Sequence, residues 1–375
     1  MWRLITTSLC LQCPRGTAIQ IHKRLCTTRC AEENRHTVEA LYLLSVDIQK
    51  IRKLKCWILY QTPTYVNEVA ELMKEMGASG SIVARVLTLY PEAVLCNPEQ
   101  MQAQRDLWMS VCPNQRELVG VIEKFPASFF TCASHHANQR DNITYFRQLN
   151  LNKRIITKLM SGAPQSFSRP VDDNKKMIHA LQAAYLELGG KDTNVKSWLQ
   201  KLLSQNPFVL LKDPEMLRQN FHFLTQKGFT ATELLGLLSK LRGFVTELNP
   251  DAMQRTLAFS QITLGCSDDQ LRHVVLDCPA LLYHSEAVLT QRFQGLFGVG
   301  ISVSQILQAP TVLELTTEIV NHRVQSLRSH GYDIQTGSLV ALCGTKKDFE
   351  ASYGRLQLRR ERPMFNPVAP LRTDD

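Results

Sequence analysis

The stretch WLQKLLSQNPFVLL, residues 198–211, decides the fold. Leucines at helical spacing run into Pro207, which lacks the amide a continuing helix needs and disfavours helical geometry at the residue before it. Leu199 stands eight positions before this proline and Leu210 three positions after it. Working outward, the same pattern recurs at Pro91, Pro126, Pro164, Gly243, Pro279 and Pro310, with successive spacings of 35, 38, 43, 36, 36 and 31 residues once Pro207 is included. Val83, Leu118, Ile156, Leu235 and Leu271 share the place of Leu199, and only Ser302 breaks that series. Val94, Phe129, Phe167, Leu282 and Leu313 share the place of Leu210, and only Thr246 breaks that one.

A second marker follows every opener but the first after 21 to 25 residues: Asn150, Gly189, Gly228, Gly265, Gly300 and Gly331. Gly and Asn tolerate the left-handed conformation that ends many helices. Each unit therefore predicts a helix, a stop, a short apolar turn, a second helix and a cap. Residues 217–227 and 288–297 have helical apolar spacing, and strand signals are nearly absent. Such a unit cannot bury its apolar face alone, so neighbours must stack. The expectation is an all-α repeat array over residues 36–345, preceded by residues 1–35 and followed by a basic C-terminal tail, 346–375. The first repeat lacks a clear Gly cap near Cys112, which leaves its ends open.

Composition narrows the function. A hydrophobic fraction of 44% with 21% charged residues excludes a mainly disordered chain. No run approaches the ~18 apolar residues of a membrane span, so no membrane insertion is expected. Residues 1–31 carry Arg3, Arg15, Lys23, Arg24 and Arg29 with many hydroxyls, and no acid precedes Glu32. That is the composition of a mitochondrial transit peptide, assigned to residues 1–35, and it places the protein in the mitochondrial matrix. The formal charge of +9 falls to +3 over residues 36–345 once the two ends are set aside. Nucleic-acid binding by the array would then require its charges to be sorted onto one face.

Eleven cysteines are present; Cys10, Cys13, Cys26 and Cys30 have zinc-like spacing but lie inside the segment expected to be removed. Cys56, Cys96, Cys112, Cys132, Cys266, Cys278 and Cys343 read as reduced thiols, mostly small core residues. Catalysis is not expected. GxGxxG, HExxH and GxSxG are absent, and Gly344, Thr345 and Lys346 resemble the end of a Walker motif without its first glycine. His135 and His136 are adjacent and cannot share a helical face as metal ligands. No cofactor and no metal are expected.

The leucine-rich helix, the proline with an apolar residue three further on, and the closing glycine resemble the mTERF family, the mitochondrial transcription termination factors. The segments 198–211, 276–282 (LDCPALL) and 365–371 (FNPVAPL) carry the likeness, which extends over roughly residues 36 to 371. Gly243 in place of proline and the spacing of 43 residues depart from the pattern. The resemblance implies a left-handed superhelical solenoid of about seven repeats, each with two α-helices and a short 3-10 turn. It also implies a basic concave groove that takes double-stranded nucleic acid, and a role in mitochondrial transcription or ribosome assembly.

Eleven to fourteen residues after each opener stands a cation: Arg105, Arg140, Lys176, Arg218, Arg255, Arg292 and Arg323. One cation per repeat would form a stripe able to follow a line of phosphates, and arginine suits bidentate phosphate contacts. Most helices carry a solvated cation, so an ordinary helix face remains the competing reading. Lys240 and Arg242 flank the Gly243 repeat; Arg355, Arg359, Arg360 and Arg362 cluster in the tail, as Lys50, Arg52, Lys53 and Lys55 do near the start. A sparser set six residues before the openers, Arg85, Lys158, Lys201 and His273, reads as a solvated face. The leading expectation is a monomeric, nucleoid-associated protein that binds mitochondrial double-stranded DNA through phosphates and regulates transcription, with the transcription machinery or RNA as further partners. An RNA- or ribosome-associated scaffold recruiting a partner enzyme, and a peptide-binding solenoid, are the rivals. A fusion of residues 1–35 to a fluorescent reporter should colocalise with mitochondria. Changing Arg3, Arg15, Lys23 and Arg24 to Gln should leave the reporter in the cytosol under the microscope.

Overall fold

The computed structural model describes residues 32–241 and 243–351. Outside the described residues lie the transit-type segment up to residue 31 with its four cysteines, Arg242, Arg355, Arg359, Arg360, Arg362 and the segment 365–371. The chain divides into two compact units at Ala133 and Ser134. Unit one contains α1 (Arg35–Leu43), α2 (Ile48–Lys55), α3 (Val66–Glu75), α4 (Gly80–Leu89), α5 (Pro98–Met109) and α6 (Gln115–Lys124). Unit two contains α7 (Ala133–Gln148), α8 (Lys153–Gly162), α9 (Val171–Glu187), α10 (Asp192–Gln205), α11 (Pro214–Gln226) and α12 (Ala231–Lys240). It continues with α13 (Pro250–Leu264), α14 (Asp268–Asp277), α15 (Glu286–Gly298), α16 (Val303–Gln308) and α17 (Thr317–Ser329). Among the described residues there is no strand, and no described helix is long and apolar enough to cross a membrane.

Each even-numbered helix ends at a single helical turn that leads into the next odd-numbered helix. The residue before the turn leaves helical geometry, as proline demands: Tyr90 has φ −134° and ψ 70°, Cys278 φ −123° and ψ 71°. Lys55 adopts nearly the same conformation, φ −148° and ψ 47°, before a turn at Cys56–Tyr60 that has no proline. A further turn without proline lies at Leu339–Leu342. The repeat pattern therefore extends beyond the seven openers on both sides. Asn150, at φ 55°, and the glycines at 189, 228, 265, 300 and 331 all take positive φ, as does Gly77, which closes the added first unit. After α5 the described chain shows no such residue; the Cys112 amide instead donates to Trp108 O at 2.9 Å.

The breaks in the sequence pattern have local causes. Leu235 is only half-buried while Leu234 is 2% exposed, and Val245 rather than Thr246 is buried. In this repeat the buried positions on the preceding helix and in the turn thus fall one residue earlier, counted from Gly243, than in the others. Ser302 caps α16, a helix of six residues, by accepting from the Gln305 amide. Elsewhere the expected core holds: Val83, Leu118, Phe167, Leu210 and Leu313 are each 0% exposed.

Within unit one, α1, α3 and α5 pack in succession, and so do α2, α4 and α6. Within unit two, α9, α11, α13, α15 and α17 form one layer, while α8 packs against α10 in the other. The layers are tied at the turns. A turn of four or five residues leaves carbonyl groups without helical partners, and burial makes each orphan costly. The preceding repeat supplies the donors. Asn34 N donates to Leu59 O at 2.7 Å and Tyr65 N to Val94 O at 2.7 Å. In unit two, Asn142 donates to Phe167 O and Arg169 O, both at 2.8 Å, and Arg169 donates to Leu210 O at 2.9 Å. Asn220 reaches Phe244 O at 3.0 Å and Leu248 O at 3.2 Å, and Thr256 reaches His284 O at 2.8 Å. Asn220→Leu keeps the branched shape and removes both hydrogen bonds, so it should lower stability by roughly 1–3 kcal/mol in urea unfolding. Gln219→Leu, on the exposed neighbouring position, should change it by no more than about 0.5 kcal/mol.

Candidate nucleic-acid interface

From α9 onward the odd-numbered helices turn largely the same positions inward. Ten, thirteen, fourteen and seventeen residues after the opener face inward in α9 (Asn174, Met177, Ile178, Leu181) and in α17 (Val320, Arg323, Val324, Leu327). Positions eleven and twelve face solvent: Lys175 and Lys176 in α9, Arg218 and Gln219 in α11, Gln254 and Arg255 in α13. The helix advances about 100° per residue, so a window of four residues sweeps its whole circumference. The seven cations of the sequence pattern do not share a face.

Arg292 and Arg323 depart from the expected stripe because they occupy the inward thirteenth position. Arg323 is 6% exposed; it donates to Leu342 O and Gly344 O and lies 4.8 Å over the Phe349 ring. Arg292 donates to Leu313 O and to His284 Nε2, the latter at 2.8 Å, and burial pushes its guanidinium pKa down. Both do the work of Asn220 and Thr256, since a long side chain reaches the next turn's carbonyls as a short amide does. Neither presents a guanidinium to a phosphate. The inward thirteenth position is polar in six of the seven repeats (Gln104, Gln139, Asn220, Thr256, Arg292, Arg323), a recurrence of polarity rather than of charge.

The remaining members divide. Arg105 is half-buried and turned toward Glu75 and Asp106, both at 3.4 Å. Arg218 is exposed and lies 3.3 Å from Glu215. Arg140, Lys176, Arg255 and Lys240, the last residue of α12, are exposed, and no ion pair engages them among the described residues. The structure brings Lys176 and Arg218 together on a groove of about 790 Å³ between α9 and α11, with Lys175 and His179 beside them. Glu187, Asp213 and Glu215 line the same groove, so its charge is mixed. Arg255 lines a separate hollow of about 480 Å³ with Glu247 and Glu286. Near the N-terminus, Arg52 pairs with Glu33 at 2.7 Å, and Lys55 pairs with Glu92 and lies 5.1 Å over Tyr90.

Two of the set six residues before the openers reach the adjacent repeat. Arg85 pairs with Glu123, and Lys158 donates to Ser204 Oγ at 3.0 Å. His273 Nδ1 lies 2.7 Å from the carbonyl of Asp269 on its own helix. Cys112, Cys266 and Cys278 are buried, and burial pushes the Cys278 thiol up to about 12. Cys132 is exposed. No group of three His, Cys, Asp or Glu among the described residues could hold a metal ion.

A model of the mTERF family matches residues 39–350. The human protein named Transcription termination factor 2, mitochondrial, is 48% identical over 345 residues, covering 92% of this chain and 89% of that protein. Its mouse namesake is 45% identical over 344 residues, with 92% and 89% covered. The human protein named Transcription termination factor 1, mitochondrial, is 27% identical over 328 residues, covering 86% of this chain and 82% of that protein.

The Arg292 contact makes a test of pH dependence. Burial first, and the Arg292 charge second, push the His284 imidazole down to about 4 from its ordinary 6.5. The neutral ring accepts from Arg292, whereas a protonated one would repel it. The folded chain thus stays neutral where the unfolded chain binds a proton, so this stabilisation is complete above about pH 6.5 and is lost as pH falls toward 4. In thermal melts the Tm advantage of wild type over His284→Gln should shrink steadily between those two values.

Proposed function

The chain belongs to the mTERF family, and on that premise we propose that it works in mitochondrial transcription as a non-catalytic protein bound to double-stranded DNA. The observation that carries this reading is the extended likeness to proteins named mitochondrial transcription termination factors, with 48% identity over 92% of the chain to the first human protein given above. In this reading residues 1–35 deliver the protein to the mitochondrial matrix, residues 36–345 form the binding array and residues 346–375 add a basic tail. The protein acts as a monomer within the nucleoid.

Binding rests on phosphates. A duplex carries about one negative charge per 1.7 Å of axis, so exposed cations on successive repeats meet partners at almost any register. Arg140, Lys176, Arg218, Lys240 and Arg255 are the candidates from the sequence pattern whose side chains are exposed. Arg242, Arg359 and Arg360 are candidates outside the described residues. Phosphate contacts carry no sequence information directly, so such binding is weakly sequence-specific.

The test is a salt titration of the protein from residue 36 on duplex DNA and RNA of equal length. With about four phosphates neutralised, the logarithm of the affinity for DNA should fall against the logarithm of salt with a slope near −3.6. A flat response on DNA would overturn the reading. A clear preference for structured RNA would favour the ribosome-directed scaffold in its place.

A further inference from the structure

Six arginines in the described chain already have a carboxylate. Arg52, Arg85, Arg105, Arg169, Arg218 and Arg272 are each within ion-pair distance of an acid. One surface of unit two breaks that habit. Helix α8 carries Lys153, Arg154 and Lys158 and no acid, and its packing partner α10, with its N-cap, carries Lys191, Lys196 and Lys201 against the single acid Asp192. All six cations are exposed, and none of them enters an ion pair among the described residues.

Their placement is specific. Lys158 Nζ donates to Ser204 Oγ at 3.0 Å, which sets it across from α10. Lys201 lies one turn before Ser204 on the same side of α10, and Arg154 one turn before Lys158 on α8. Gln200 donates to Asn150 O at 3.1 Å, just ahead of α8, and Lys196 lies one turn before Gln200. The cations of the two helices therefore form a continuous strip across their seam, with the hydroxyls of Ser161 and Ser204 beside Lys158. Stability does not account for the strip. Lys153 and Arg154 sit in the first turn of α8, where the helix dipole disfavours cations, whereas α9, α10, α11, α12, α13 and α14 all carry an acid there. Removing such a charge should, if anything, strengthen the helix.

We infer that the strip of Arg154, Lys158 and Lys201, flanked by Lys153 and Lys196, is the main phosphate-contact surface of unit two for duplex DNA. It rests on the nucleic-acid-binding reading and relocates its contact from the odd-numbered to the even-numbered helices. The row Lys176, Arg218 and Arg255 shares its grooves with acids, and a phosphate brought there meets repulsion as well as attraction. On α8 and α10 the single acid is Asp192, and no ion pair engages the cations among the described residues, so phosphates replace chiefly water and counterions. Ammonium groups on flexible stems give register-tolerant contacts, which suit a backbone more than a base edge.

The experiment compares two triple variants of the protein from residue 36, R154Q/K158Q/K201Q and K176Q/R218Q/R255Q, with wild type on the same DNA duplex across a salt series. Circular dichroism melts of both variants should match wild type, since every replaced side chain is exposed. The first variant should lose roughly tenfold or more in affinity at low salt, and its slope should be shallower by about 2.7, three contacts at about 0.9 each. The second should lose less in both measures. The inference is overturned if the first variant binds DNA as wild type does, or if the second loses more. Salt-independent or absent DNA binding by wild type would overturn the parent reading along with it. Loss of RNA binding by the first variant with DNA binding unchanged would reassign the strip to RNA and overturn the duplex assignment alone.

Discussion

The turn that opens each repeat is too short to satisfy its own carbonyl groups. It breaks a helix, bends the chain and delivers apolar side chains such as Phe167 and Leu210 into the interior. Its backbone oxygens go inward with them. A buried carbonyl without a donor is costly, so the preceding repeat must place one there. The donor differs from place to place: a backbone amide at Tyr65, a carboxamide at Asn142 and Asn220, a hydroxyl at Thr256, a guanidinium at Arg169, Arg292 and Arg323. Geometry, not residue type, is what recurs. Each repeat is thus completed by its neighbour in its polar chemistry as well as in its apolar face, which makes the stack cooperative and ordered.

That requirement also shapes the surface. An arginine spent on a carbonyl is lost to any ligand, and one paired across repeats, as Arg85 is with Glu123, is largely neutralised. The basic composition of the chain consequently says little about where an anion would settle. What matters is the residue of cations left after the internal demands are met. Those are thinly scattered over the odd-numbered helices of unit two and concentrated on α8 and α10.

Much of the architecture was legible from the proline positions, because proline acts through its own covalent structure and needs no neighbour to stop a helix. The closing residues were legible for a similar reason: Asn150 and Gly189 do take the left-handed conformation their chemistry permits. The turns at Cys56 and Leu339 were not, since ordinary residues adopt the same backbone when packing rewards it and leave no chemical mark. Near Gly243 the buried positions sit one residue earlier than a count from the glycine predicts, which leaves Leu235 half-buried. The candidate site was less legible. A cation at a recurring distance from a proline is a statement about contour length, whereas exposure depends on rotation about the helix axis.

The sequence by itself determined the repeat length, the alternation of helix, stop and cap, the apolar core and the basic character of the N-terminal segment, because each follows from local conformational preference or simple periodicity. Only the tertiary structure decided which cations serve the fold and which face solvent. Arg85 finds Glu123, Lys158 finds Ser204 and Arg323 finds Leu342 across separations of 38, 46 and 19 residues. Those partners become neighbours only when repeats stack, so the free charge of the surface is a property of the stack and not of any one repeat.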